Sequence, residues 1–321
     1  MKPPSSGALR LAGRGFSSGD GLIAIATLLW SVNIVVVKVA LSNAGPLTYA
    51  SLRFLIGGLA LWLLARRLEG PRQRPTTKAP WLLAAAAASG VAISQATFTG
   101  ALALTNVDFV AMVFGSTPLL VSGWLAWRGQ VRFGARVWSG LLLGFLGVAI
   151  VVVASGGGRT SWLGIAAALG STLSTAVYVL LLPGLLGRYQ PLTLAARITL
   201  LGAVMLSPFG VAEAIGHHPH VTWAWAGLLA FSAIAAVAAT NWLYLASVRS
   251  LGPARAASYS YLEPFLGVLA ASLLIREPVI PLQLLGGVII VVSLTLGWPR
   301  ALGVAGPVGV GGAVPEVTGQ E

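Results

Sequence analysis

The sequence predicts an all-α polytopic membrane protein, its ten transmembrane helices arranged as two inverted five-helix repeats. Three observations lead there. Of 321 residues, 56% are hydrophobic and only 9% charged, and the mean hydropathy is +0.86. The apolar residues gather in long continuous runs, and the second half of the chain echoes the first. A soluble domain carries about 25% charged residues, so a water-facing globule of this size lacks the charge to cover its surface. An ordinary cytosolic enzyme, a nucleic-acid-binding protein and a disordered chain are excluded. Lipid admits only helices and closed barrels, because backbone polar groups have no water to bond there. A barrel would show alternating segments of about ten residues, which these runs do not.

Ten runs approach the roughly 20 apolar residues that cross a bilayer: 21–41, 46–65, 81–103, 107–127, 137–155, 162–182, 192–212, 222–247, 254–275 and 281–298. The first is too long for the core of a signal peptide, and no convincing small-residue cleavage site follows it, so it is predicted as a span. The domain plan is a cytoplasmic tail over 1–20, repeats over 21–155 and 162–298, and a disordered cytoplasmic tail over 299–321, rich in Gly, Val and Pro.

Twenty Lys and Arg against eight Asp and Glu give a net charge of +12. In a soluble chain that surplus suggests nucleic acid. Here its position suggests topology. With the N-terminus inside, fifteen basic residues fall on the inner side, five of them (Arg66, Arg67, Arg72, Arg74, Lys78) in the longest connection. Only Arg159 and Arg276 fall outside. This bias places both termini in the cytoplasm of a multi-pass protein of the inner or plasma membrane. The absence of cysteine excludes disulfides, Cys-ligated zinc and thiol nucleophiles. No phosphate-binding loop, acidic metal–diphosphate motif or Ser–His–Asp grouping is visible, so no cofactor, resident metal or enzyme activity is predicted. His217-His218-Pro219-His220 has no acidic or Cys partner beside it and reads as an exposed outer loop.

The echo between the halves is specific. Pro46-Leu47-Thr48-Tyr49-Ala50 opens the second run, and Pro191-Leu192-Thr193-Leu194-Ala195 the seventh. A basic residue follows each, Arg53 or Arg197, with a slip of one position. Pro118 matches Pro264 and Gly140 matches Gly286, both at a shift of 146. Five helices per repeat is an odd number, so the second copy is inverted in the membrane. Inverted repeats suit alternating access, in which two halves rock about a site at their interface.

Trp30-Ser31-Val32-Asn33 with Lys38 resembles the opening helix of the EamA-like branch of the drug/metabolite transporter superfamily. Tyr261-Leu262-Glu263-Pro264, Arg276-Glu277-Pro278 and Gln283-Leu284-Leu285-Gly286-Gly287 extend the likeness over about 20–298. The resemblance implies a ten-helix, two-repeat transporter of small metabolites. In such proteins an acidic residue usually follows the fourth helix of each repeat. Glu277 fills that place in the second repeat, but Gln130-Val131 stands in the first.

Ionisable residues within spans are costly and so are functional candidates. Lys38, Arg53 and Asp108 share a depth near the outer side and can form a charge cluster. Arg197 and Glu263 enter from the inner side at similar depths and can pair. Glu263 is the candidate for coupling, since a carboxyl in a cavity can take up and release a proton, and Pro264 removes a backbone donor beside it. A purely structural role, tying helices together or snorkelling at the interface, is the competing reading for each charge.

Substrate contacts are expected from Trp30 and Asn33, Gln95 and Phe98, Tyr178 with Ser171 and Ser174, Asn241 and Tyr244, and Tyr259 beside Glu263. Each set shares a helix face and joins an aromatic ring to a hydrogen-bonding group. Interhelical hydrogen bonding is the alternative. The function expected is secondary transport of a small amphipathic metabolite, an amino acid or related compound, with export favoured by the resemblance. A facilitative channel or lipid-intermediate flippase of the same fold is the alternative, and a membrane enzyme the third reading. The partners expected are the bilayer, a small-molecule substrate and protons, without nucleic acid, in a monomer or homodimer.

Overall fold

The computed structural model describes residues 17–69, 80–105, 107–154, 161–216, 218–276 and 278–297. Both tails, most of the 66–80 connection and Glu277 lie outside the described residues. Those described form helices and short connections, with no strand among them.

The first helix, α1 (Ser18–Ala40), starts at a reciprocal cap: the Ser17 side chain accepts from the Asp20 amide, and the Asp20 carboxylate accepts from the Ser17 amide. Helix α2 (Pro46–Leu68) has proline at its first position, where no backbone donor is needed. The next rod is continuous but changes pitch: α3 (Pro80–Ala87), a π-helical stretch over Ala88–Ile93, then α4 (Ser94–Leu104). After it come α5 (Val107–Phe114), α6 (Thr117–Trp127), α7 (Ala135–Ala154), α8 (Trp162–Leu186) and α9 (Pro191–Gly216). The rod α10 (Trp223–Phe231), π-helix Ser232–Ala239 and α11 (Thr240–Leu251) repeats the change of pitch. Gly252, at φ +82°, turns the chain into α12 (Pro253–Ser258). A 3₁₀ turn over Tyr259–Tyr261, α13 (Leu262–Ile275) and α14 (Pro281–Gly297) complete the fold.

Seven of these rods are long and apolar enough to cross a membrane. Of the three remaining predicted spans, 281–298 is a single shorter helix of 17 residues, α14, and the other two are interrupted. The 107–127 run breaks at Gly115–Ser116, and the 254–275 run breaks at the 3₁₀ turn. In each case the break precedes a matched proline. Pro118 sits in the first turn of α6 and Pro264 in the first turn of α13, where a residue without an N–H fits best. The apolar run conceals the break because hydrophobicity continues across it.

The repeats meet in contacts that map onto each other. Helices α2 and α9 lie antiparallel, since the start of each bonds the end of the other. Thr48 donates to Glu213 Oε2 from its amide (2.7 Å) and hydroxyl (2.9 Å). Thr193 donates to Glu69 Oε2 in the same two ways, 3.0 Å from its amide. Helices α7 and α14 pack through glycine. A Cβ on Gly147 would lie 2.9 Å from the Gly286 carbonyl, and one on Gly140 would lie 3.0 Å from the Ser293 carbonyl. These two contacts exchange under the 146-residue shift.

Outside the bundle, large apolar side chains face outward, among them Leu63, Val153, Leu163, Ile215, Leu273 and Val288. Such a surface is tolerable in lipid and not in water. At helix ends, Arg66 lies over the Trp62 ring at 3.9 Å and Arg128 near Trp124 at 6.0 Å, as basic and aromatic residues do at a membrane interface.

Candidate substrate site

Three rings gather where α1, α8 and α11 meet. The ring centroids of Trp30 and Tyr244 are 5.5 Å apart, and Tyr178 lies 6.5 Å from Tyr244 at an interplanar angle of 23°. Tyr178 reaches this place through a gap left by Gly90 in the π-helical stretch, where a Cβ would come within 2.5 Å of the ring. Ser174 and Ser171, on the same stripe of α8, donate to the Ser89 and Ser94 carbonyls at 2.8 and 3.1 Å. The two serines thus fasten α8 along the π-helix, and the tyrosine points inward.

Glu263 stands in the first turn of α13, and its neighbour Leu262 packs against the core that holds Tyr244 and against which Tyr178 and Trp30 also pack. Tyr178 and Glu263 are both half-buried. Among the described residues, no hydrogen bond or ion pair neutralises Glu263.

The turn before Glu263 is pinned on two sides. The Tyr261 hydroxyl donates to the Leu141 carbonyl on α7 at 3.0 Å, its ring seated against Gly144. The Tyr259 hydroxyl donates to Asp20 Oδ1 at 2.8 Å. Asp20, 1% exposed, also binds Arg255 Nη2 through Oδ2 at 2.8 Å. One carboxylate thus caps α1 and joins it to α12 and the 3₁₀ turn. The sequence reading placed Tyr259 at the substrate; the fold commits its hydroxyl to this junction. Asp20 was missed because it falls one residue before the apolar run, where a carboxylate looks like an ordinary cap.

A second polar group lies further along α1. Asn33 accepts from the Ser232 hydroxyl, and the Tyr49 hydroxyl donates to Ser232 at 2.9 Å. One turn beyond Tyr49, Arg53 is 7% exposed and donates from Nη2 to Gln95 Oε1 at 2.7 Å. Its Nε has no acceptor among the described residues. The other repeat places Asn241 on Thr199 at 3.1 Å, across the same sequence separation of 42. By this contact Arg53 corresponds to Thr199, at the 146-residue shift, and not to Arg197, two positions before it.

The charges expected to group take the following places. Arg53 bonds the uncharged Gln95. Arg197 lies over the Tyr189 ring at 4.9 Å, and no ion pair joins it to Glu263. Asp108 lies in α5, its side chain outside the described residues, and Lys38 lies in the last turn of α1. Phe98 packs edge-on against Phe114 at 5.9 Å, in a separate apolar cluster with Val110 and Ala168. No group of His, Cys, Asp and Glu able to hold a metal occurs among the described residues, and His217 lies outside them.

The profile of the EamA-like transporter family matches the chain twice, over residues 17–153 and 162–297. Uncharacterized transporter YvbV of Bacillus subtilis (strain 168) is 31% identical over 275 residues, covering 85% of this chain and 88% of its own. Uncharacterized transporter sll0355 of Synechocystis sp. is 25% identical, covering 86% of this chain and 89% of its own. A solved crystal structure 20% identical to the chain superposes with a TM-score of 0.71, covering 88% of this chain and 96% of that one, a likeness of fold.

Proposed function

The chain belongs to the EamA-like transporter family, and from that premise we propose that it is a secondary carrier of a small amphipathic metabolite, an amino acid or related compound, and not an enzyme. Ten membrane crossings form two inverted five-helix repeats, with both termini in the cytoplasm of the cell membrane. The carrier works by alternating access, and export is its favoured direction.

The observation that supports this reading is the set of mirrored contacts between the repeats, Thr48 with Glu213 and Thr193 with Glu69, together with a half-buried Glu263 carboxyl that has no hydrogen-bond or ion-pair partner among the described residues. Rocking about such an axis exposes a central site to each side in turn. The Asp20–Arg255–Tyr259 junction belongs to the cytoplasmic end in this reading, so it is made when that side is closed and broken when it opens. Protons are the coupling ion, and Glu263 is the group that exchanges them.

Counterflow in proteoliposomes tests the carrier. Unlabelled substrate on one side should accelerate entry of labelled substrate from the other, which a channel does not do. Saturable counterflow supports the carrier; flux without it excludes alternating access. The coupling claim is tested separately, since flux that keeps its pH dependence in Glu263→Gln would remove it.

A further inference from the structure

We infer that the Arg53 guanidinium binds a carboxylate, and hence that the substrate of the carrier bears one. For flux this rests on the carrier reading; as an anion site it stands on Arg53 alone.

Arg53 stands seven residues after Pro46, about 10 Å along α2, well inside an apolar span. It is 7% exposed, and among the described residues no carboxylate pairs with it. A buried acid without a partner can be made neutral by a proton. Arginine has no such escape, because it stays protonated in proteins. Its contacts screen the charge without cancelling it: Gln95 Oε1 at 2.7 Å and the Phe54 ring at 5.1 Å. A guanidinium offers five N–H donors, and Nη2 makes a single bond. Nε is enclosed without an acceptor. Nη1 has no partner either, yet it is not among the enclosed atoms, so the little surface that Arg53 retains includes the free edge of its fork.

The other repeat separates this charge from helix packing. An arginine that only tied α2 to α4 could be replaced by a neutral pair. The matching contact makes that replacement, since Asn241 donates to Thr199 at 3.1 Å with no charge on either side. The positive charge of Arg53 is therefore surplus to the contact it sits in. Ionisable groups at such depth are costly and mark substrate or ion paths. The planar fork matches a carboxylate through two parallel N–H bonds. One guanidinium balances one carboxylate, whereas a phosphate ester brings nearly two negative charges and would leave one of them buried.

The test uses the purified full chain in detergent, with hydrocinnamate as probe and hydrocinnamamide as its neutral counterpart of equal size. Calorimetric titration should show the carboxylate binding at least about tenfold tighter than the amide. Arg53→Gln should erase that preference. Gln95→Glu should erase it too, because a carboxylate supplied by the chain then occupies the guanidinium, and this variant serves if Arg53→Gln does not fold. An arginine with a structural role alone would show no preference in the parent to lose. Equal affinities in the parent, no binding of either probe, or a preference that survives both variants would overturn the inference. Counterflow separates the two claims. Carboxylate binding with flux that lacks counterflow refutes the carrier and leaves the site standing. Counterflow of a neutral or cationic substrate by a chain with no carboxylate preference refutes the site and leaves the carrier.

Discussion

Glu213, three residues from the end of α9, caps the start of α2 by accepting from both the amide and the hydroxyl of Thr48, at 2.7 and 2.9 Å. The N-cap residue of α2 is Gly45, which has no side chain to do this. A Cβ there would lie 2.3 Å from the Glu213 carboxyl, so the glycine makes room for a cap supplied by the other repeat. A carboxylate at a helix N-terminus also meets the positive end of the macrodipole. Because Glu69 and Thr193 form the mirrored contact, each repeat holds the end of the other.

Loss of either cap should therefore cost about 1 kcal/mol of stability. Denaturant unfolding of the detergent-solubilised protein should show this for Glu213→Ala and for Glu69→Ala. The two sites lie a helix length apart, about 30 Å, so their effects should add. Thr48→Ala should add little once Glu213→Ala is in place. Full additivity within that pair would show that the bond contributes nothing.

The Asp20–Arg255 contact gives a prediction about motion. The pair is mostly buried, at 1% and 24% exposure, and Tyr259 adds a third bond. Replacing Asp20 with asparagine weakens the tie between α1 and α12 and leaves Arg255 uncompensated. The chain has no cysteine, so Leu262→Cys provides a unique thiol behind the junction. Alkylation of that thiol by a polar maleimide should quicken severalfold when Asp20→Asn is added. An unchanged rate would mean that the contact does not guard access. A double-mutant cycle with Arg255→Gln should return a coupling of about 1–3 kcal/mol.

Arg53–Gln95 and Asn241–Thr199 occupy matching positions but differ in charge, which orders their costs. Gln95→Leu removes the acceptor of a buried guanidinium whose Nε already lacks one. Leaving a buried charged donor unmet should cost about 2–3 kcal/mol. Asn241→Leu disturbs a neutral pair and should cost about 1 kcal/mol. Thermal unfolding of the two variants should rank them in that order; the reverse ranking would mean that Arg53 finds another acceptor.

These contacts mark what can be read from the chain. The Pro-Leu-Thr openings of α2 and α9 are visible as a repeated motif, and Pro118 and Pro264 correctly signal equivalent positions. Glu69 and Glu213 are not visible, because a carboxylate at the end of an apolar run looks the same whether it faces headgroups or a distant helix start. The pairing of Arg53 with Gln95 is hidden for a similar reason: depth along a helix can be counted, whereas the facing residue depends on how the rods rotate. Helical spacing puts Trp30, Tyr178 and Tyr244 on faces with hydrogen-bonding groups, but that the Trp30 and Tyr178 rings each meet Tyr244 depends on how the rods rotate. A change of pitch leaves no mark in an alanine-rich segment such as 84–93.

Glycine substitutions in α6 and α7 should have opposite signs. At Gly147 a Cβ would meet Ile290 Cγ1 at 2.7 Å and the Gly286 carbonyl at 2.9 Å. The carbonyl belongs to helix backbone and cannot step aside, so Gly147→Ala must push α7 and α14 apart. Forcing a methyl into such a contact costs about 1–3 kcal/mol. At Gly123 a Cβ would meet nothing within 4 Å, and alanine is the better helix former by roughly 0.5–1 kcal/mol. Thermal unfolding should therefore show Gly147→Ala less stable than the parent and Gly123→Ala at least as stable. If both variants shifted the same way, helix propensity rather than close approach would govern the α7–α14 interface.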